Sequence, residues 1–329
     1  MKPVAIIANP ASGKDIRRLV AHGSVVPNSE KVNIIRRVFT GLDSMGIEEV
    51  FVMPDHYGIG HKALETLDLS LKVTFLDMIP ENTQDDSTRA ARMSVENGAA
   101  CLIVLGGDGT NRVVAKASHD TPLLSIATGT NNVFSSMVEG TLAGIAAGAF
   151  ALNDSPVDEL TSQEPKLEIW RGPELLDIAL IDVVVSSGRF VASRALWDVS
   201  SLREIFLTRA EPENIGFSSL GGYLCHLPHG SGTGLHIRIG PGKRTVKAPI
   251  APGLIKKVPI ESFRIFKPGE EILIKDSPTV IALDGEREFS LIEGEELTVK
   301  LNLEGPRVIK LTEILRRASK ECLFLTQES

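Results

Sequence analysis

Ala100-Cys101-Leu102-Ile103-Val104-Leu105-Gly106-Gly107-Asp108-Gly109-Thr110 is an apolar run ending in a glycine-rich turn, and Asn111-Arg112-Val113-Val114-Ala115-Lys116-Ala117 follows it with a helical pattern. The unit reads as strand, tight turn and helix. Three glycines let the main chain approach a ligand closely, and the free N–H groups of a helix start suit phosphate oxygens. Asp108 would repel phosphate if left alone, so it points to a magnesium ion or to a hydroxyl awaiting deprotonation. The pattern implies a phosphoryl-transfer site.

Working outward, apolar runs at 3–8, 49–53, 72–76, 100–105 and 123–127 alternate with helical patterns at 29–45, 60–67, 86–97 and 111–118. Val32, Ile35, Val38, Phe39 and Leu42 recur at helical spacing, and Gly46 follows as a stop. This alternation predicts an α/β domain with a doubly wound parallel sheet, whose ligands sit at the carboxyl ends of the strands. Beyond about residue 155 the pattern becomes β-type, with segments at 166–170, 176–186, 234–239, 245–248, 262–266, 271–274, 279–283, 287–291 and 297–301. These predict an all-β sandwich over 156–305, interrupted by a helix at 200–207. A helix at 312–322 belongs to a segment, 306–329, expected to rejoin the first domain of 1–155.

The 329 residues, 43% hydrophobic, are enough for two cores. A net charge of −7 argues against a nucleic-acid partner, which calls for a basic face. Cys101, Cys225 and Cys322 show no C-x-x-C spacing and suggest reduced, buried thiols. The N-terminal apolar run is too short for a signal peptide. The Ala/Gly-rich stretch 141–152 falls short of the ~20 residues a membrane span needs and fits a helix packed closely on a sheet. A cytoplasmic protein without membrane contact is expected.

Asn9-Pro10-Ala11-Ser12-Gly13-Lys14 closes the first strand and superficially matches a Walker A loop. However, Ala8 stands where its first glycine belongs and Asp15 replaces the Ser/Thr that would hold magnesium. A looser phosphate contact from Ser12, Gly13 and Lys14 remains. Thr128-Gly129-Thr130-Asn131-Asn132 follows the fifth strand with small polar side chains suited to ribose or phosphate, sharing a cleft with the Gly106–Thr110 turn. Gly58-Ile59-Gly60 imitates a dinucleotide fingerprint but stands four residues beyond its strand, as a helix-start loop does, with Tyr57 able to border a ligand. Asp284-Gly285-Glu286 reads locally as a hairpin turn. Cys225-His226-Leu227-Pro228-His229 lacks the second ligand cluster a metal site needs. Lys243, Arg244, Lys247, Lys256 and Lys257 read as a solvated face.

With these motifs in order, the chain resembles the superfamily of NAD kinases, diacylglycerol kinases and sphingosine kinases. Residues 8–20 and 127–134 are similar to its acetoin-catabolism protein X branch, usually classed as ATP-NAD-kinase-like. The resemblance implies ATP phosphates along Gly106, Gly107, Gly109 and Thr110 with Asn111 adjoining. Asn9, the Ser12–Lys14 loop and the Thr128–Asn132 loop would lie beside them. It implies Asp108 as a catalytic residue and magnesium contact. Glu286, in the Asp-Gly-Glu form of the lipid kinases, becomes a second candidate base. Asn132 departs from the aspartate of the lipid kinases, and the Asn-rich acceptor motif of NAD kinases is not reproduced. The implied activity is ATP- and Mg2+-dependent phosphorylation of a soluble nucleotide hydroxyl, with NAD the first candidate. A lipid kinase and a non-catalytic nucleotide-binding regulator stand as alternatives. The superfamily also implies a homo-oligomer formed through the β domain.

Overall fold

The computed structural model describes residues 2–13, 22–23, 25–130, 132–153, 155–187, 199–275, 278–292 and 294–325. The chain begins with β1 (Val4–Ala8), α1 (Asn28–Ser44), β2 (Glu49–Val52), α2 (Ile59–Leu64) and β3 (Lys72–Phe75). It continues through α3 (Asp85–Glu96), β4 (Leu102–Gly106), α4 (Asp108–Ser118), β5 (Leu123–Ala127) and α5 (Gly140–Leu152). The five strands are parallel in the order β3-β2-β1-β4-β5. Helices cover both faces, so β1, β4 and β5 are buried throughout, which is why they read as unbroken apolar runs.

On α1, Val32, Ile35, Val38, Phe39 and Leu42 form the buried stripe that the helical spacing predicts. Glu139 caps α5 by accepting hydrogen bonds from the Thr141 and Leu142 N–H groups. The small residues of α5 serve chiefly a helix–helix approach to α1. A Cβ on Gly144 would lie 2.3 Å from the Val38 carbonyl oxygen, and one on Gly41 would lie 2.5 Å from that of Thr141. Alanine at a helical glycine gains about 0.5–1 kcal/mol of propensity, whereas a clash with backbone costs about 1–3 kcal/mol. Gly144→Ala is therefore expected to lower the urea midpoint, although it improves helix propensity.

The short helix α6 (Val157–Leu160) leads into β6 (Thr161–Gln163), and the second domain follows with β7 (Lys166–Arg171), β8 (Glu174–Ala179), β9 (Asp182–Ser186) and β10 (Leu202–Leu207). After α7 (Phe217–Gly222) come β11 (Gly234–Ala251), β12 (Leu254–Phe266), β13 (Ile272–Ile274), β14 (Thr279–Leu283), β15 (Glu286–Leu291) and β16 (Leu297–Asn302). A six-stranded sheet, β12-β11-β10-β9-β14-β15, faces a four-stranded one, β13-β16-β7-β8. Leu167, Ile169 and Val299 of the smaller sheet meet Val183, Phe206 and Ile281 of the larger in one core. This is an antiparallel sandwich. Finally β17 (Arg307–Ile309) enters the parallel sheet beside β5, with β6 antiparallel on its other side. Helix α8 (Leu311–Lys320) then buries Ile314 and Ala318 in the first-domain core.

The helix expected at 200–207 is instead the central strand β10, paired on both sides. Its apolar residues are buried on both faces, and a short run without alternation cannot be told from a helix by periodicity. The segments at 234–239 and 245–248 belong to one long strand, β11. Its hairpin with β12 carries register shifts around residues 239–244, where the apolar pattern breaks. Among the described residues no helix is long and apolar enough to cross a membrane.

Candidate active site

Strand order reverses between β1 and β4, which opens a crevice at their carboxyl ends. A cleft of about 730 Å3 fills it, lined by the turns that follow β1, β4 and β5 and by the β14–β15 hairpin. Asn9, Ser12, Gly13, Gly107, Asp108, Gly109, Thr110, Gly129, Thr130, Asp284 and Glu286 all reach this cleft.

Side-chain hydrogen bonds fix the loops. Asn9 Nδ2 donates to Thr110 Oγ1 at 2.9 Å, joining the β1 turn to α4 across the switch point. Ser12 Oγ and Thr128 Oγ1 are 2.8 Å apart. Lys31, fully buried on α1, donates through Nζ to the carbonyls of Asn9, Pro10 and Ser12 at 2.9, 3.2 and 2.8 Å. Lys31→Met strips those carbonyls of this donor and is expected to cost about 1–3 kcal/mol. Urea unfolding checks the loss, and faster proteolysis around residues 9–13 would show that it falls on the loop.

The glycines allow two turns to pack backbone against backbone. A Cβ on Gly129 would stand 2.6 Å from the Gly107 Cα, and one on Gly109 would stand 2.5 Å from the Glu286 carboxyl carbon. Asn132 does not line the cleft. It closes its own turn, accepting from the Gly129 N–H at 3.1 Å and donating to the Gly129 carbonyl at 3.0 Å. Asn111 is likewise buried, donating to the Gly107 carbonyl and to Ser135 Oγ, each at 2.9 Å. Behind the cleft the Thr128 N–H donates to the Gly106 carbonyl at 3.1 Å, and Gly285 occupies the hairpin turn at φ +79°. Lys14 and Asn131 lie outside the described residues.

The two carboxylates singled out from sequence sit differently. Asp108 opens α4 and is buried, accepting from the Val133 N–H with both oxygens at 3.1 Å and from the Phe134 N–H at 2.9 Å. Burial pushes its carboxyl above the usual range despite these bonds and the Arg209 charge. Glu286 is only half-buried and faces the cleft. Gln84 Nε2 donates to its Oε2 at 2.6 Å, and Arg112 Nη2 lies 3.6 Å from the same oxygen. Asp284, at φ +48°, accepts from the N–H groups of Leu180, Ile181 and Asp182 at 2.7–3.1 Å. Burial drives its carboxyl up to about 7 against the pull of Arg112 and those amides.

Arg112 was missed by sequence reasoning. Its guanidinium is fully buried and bonds Asp177 at 3.0 Å and Gln84 Oε1 at 3.2 Å, in addition to its approach to Glu286. The available signal was its spacing, one helical turn beyond Asp108. Also missed was the cleft's opposite wall, Asp55, His56, Asn82, Thr83, Gln84 and Ser87, beside the anticipated Tyr57. Asp55 caps α2 through the Tyr57 and Ile59 N–H groups, and Gly58 takes φ +63° there, so the fingerprint-like glycines form a helix start. Asp86 shapes the wall by accepting from the Glu81 and Asn82 N–H groups.

His229 pairs with buried Glu164 at 2.5 Å, and Arg209 pairs with the same carboxylate at 2.7 Å. Burial works to raise Glu164, but the hydrogen bond with His229 and the Arg209 charge outweigh it and hold the carboxyl low. The three cysteines are free; Cys101 is buried, which pushes its thiol up to about 12. Among the described residues no three His, Cys, Asp or Glu side chains converge as a metal cage.

The parallel domain with its glycine turns, carrying an antiparallel sandwich, has the architecture of the NAD kinases. Residues 4–151 match the ATP-NAD kinase N-terminal domain and residues 165–304 the acetoin catabolism protein X C-terminal domain. The crystal structure of yeast NADH kinase complexed with NADH superposes with a TM-score of 0.53 at 14% identity, over 100% of this chain and 89% of that one. Acetoin catabolism protein X of Cupriavidus necator is 36% identical over 335 residues, spanning 98% of this chain and 93% of that protein. The chain belongs to the acetoin catabolism protein X family.

Proposed function

We propose that the protein is an ATP-dependent phosphotransferase acting on a hydroxyl of a soluble nucleotide, with NAD the first acceptor to test. The observation that carries this reading is the cleft at the strand-order reversal, lined by glycine backbone with a half-buried carboxylate, Glu286, set directly beside Gly109. Backbone N–H groups at the start of α4 and small residues of the β1 and β5 turns suit phosphate oxygens. The opposite wall is rich in hydroxyl, amide and carboxylate groups, which fit a ribose better than an acyl chain, so the lipid-kinase reading has less support.

In this reading Glu286 accepts the proton of the acceptor hydroxyl. The hydroxyl oxygen bonds to the γ-phosphorus as the bond to the β–γ bridging oxygen breaks, and ADP leaves with that electron pair. Gln84 and Arg112 hold the carboxylate in place. Asp108 spends its oxygens on backbone amides, and its role is to lock the Gly106–Thr110 turn against residues 133–134. Magnesium carried on the nucleotide phosphates would neutralise phosphate charge, with Glu286 as a carboxylate facing the cleft that could contact it.

Purified protein supplied with ATP, magnesium and NAD is expected to yield NADP and ADP, read by a coupled dehydrogenase. If neither product exceeds that of a control without the protein, the kinase reading is lost. Nucleotide binding by calorimetry without turnover would then establish the regulator instead.

A further inference from the structure

We infer that the outer face of the β11–β12 hairpin docks the protein reversibly on an anionic lipid surface. Along the sequence Lys243, Arg244, Lys247, Lys256 and Lys257 fall on separate segments and read as a solvated face. The fold brings the lysines together. In the antiparallel register Lys247 stands opposite Lys257, Pro249 opposite Ile255 and Thr245 opposite Pro259, so these side chains share one face of the ribbon. Val246, Ala248, Ile250, Val258 and Ile260 take the other face and are buried in an apolar core. Lys256 is exposed on the edge strand alongside, and Lys243 is exposed at the register shift.

This positive charge is left over. Among the described residues Lys243, Lys247, Lys256 and Lys257 form no ion pair, whereas Arg238 and Arg264 of the same hairpin pair with Glu204 and Glu270. Arg244 is engaged differently, with its guanidinium 5.2 Å from the centre of the Phe263 ring. Glu261 is the only acidic residue from 234 to 266, and its carboxylate lies beside Gly240, away from the Lys247–Lys257 pair. Like charges directly opposite each other destabilise a sheet, and an anionic partner relieves that repulsion. The net charge of −7 does not cancel the patch, because exposed charges more than about 8 Å apart are largely screened at physiological salt.

Two observations select a lipid surface over a nucleic acid. Ile255, 68% exposed, sits within the cationic face, where the acyl boundary of a bilayer gives it an apolar partner and a phosphate backbone does not. The hairpin tip is also tied down: the His22 N–H donates to the Pro252 carbonyl at 2.9 Å, and a Cβ on Gly253 would stand 2.7 Å from the His22 ring. The ribbon therefore presents a fixed flank, which meets a plane, and cannot swing its tip into a groove. Apolar spans and basic amphipathic helices are the usual sequence signs of membrane contact. This surface arises from two paired strands and carries neither sign, which is why the sequence alone predicts no such contact.

Co-sedimentation of the full-length protein with vesicles tests the surface. At about 0.1 M salt the protein is expected to bind vesicles of equal parts phosphatidylcholine and phosphatidylglycerol, to leave phosphatidylcholine vesicles unbound, and to be released at about 0.5 M salt. Each lysine near an anionic leaflet contributes about a fivefold gain in affinity, so Lys247→Gln combined with Lys257→Gln should weaken binding about twentyfold. Ile255→Ser should weaken it about fivefold or more. Lys72→Gln, which removes an exposed cation of the first domain, should leave it within about twofold. Thermal unfolding of each variant confirms that it is folded. Absence of binding to the mixed vesicles, or affinity unchanged in the folded double-lysine variant, overturns the proposal. So do an unchanged affinity in Ile255→Ser and binding of a single-stranded oligothymidylate in preference to the vesicles, which would assign the lysines to nucleic-acid phosphates. These arms read neither ATP binding nor turnover, so they stand or fall apart from the kinase reading.

Discussion

Glu286→Gln is expected to reduce turnover by about 10²- to 10⁴-fold, the range that a positioned general base contributes, while ATP affinity stays close to that of the unaltered protein. Glutamine preserves the size of the side chain and can still meet Gln84, so the variant isolates the loss of the proton acceptor. Single-turnover kinetics separates the chemical step from binding and release. A variant that keeps near-normal turnover would remove Glu286 from the chemistry and return attention to Asp108. Asp108→Asn offers a contrast, because its carboxylate holds backbone amides. Part of its effect should therefore appear as lost stability, whereas Glu286 is half-buried and its replacement should leave the unfolding midpoint nearly unchanged.

Arg112→Leu is expected to have the largest effect on stability. The guanidinium is buried among Asp177, Asp284 and Glu286, and removing one partner of a buried ionic cluster costs about 3–5 kcal/mol, since the remaining charges lose their compensation. A surface pair such as Lys72–Glu49 sets the lower reference, at no more than about 1 kcal/mol. Urea denaturation measures the difference. Combining Arg112→Leu with Asp177→Asn should recover part of the loss, and the double-mutant cycle reports their coupling. A loss below that of the surface pair would show that the cluster relaxes without its cation.

Much of the first domain was legible because a parallel sheet leaves a simple trace. Strands buried on both faces are short apolar runs, and helices between them carry a stripe, as Val32 through Leu42 do. The glycine turn after β4 was legible because turn, strand end and helix start coincide within a few residues. What escaped the sequence depends on contacts between distant segments. Nothing local to Lys31 announces that its ammonium will meet three carbonyls about twenty residues away. Gln84 meets Glu286 from the other side of the chain, and Asp177 reads as an ordinary polar strand residue until Arg112 and Lys116 converge on it. Strand β10 was misread for a related reason: only its two neighbours reveal that both faces are covered.

The return of β17 to the side of β5 also governs how the molecule can be made. During synthesis residues 1–127 can assemble five parallel strands, but the free edge of β5 waits for a partner encoded some 180 residues later. Until β17 arrives, the nascent chain presents an open, apolar edge, the surface through which partly folded chains pair with one another. A chain ending before residue 307 would keep that edge, and α8 would be missing from the apolar surface it seals. Residues 307–320 thus act as the closing stitch of the first domain.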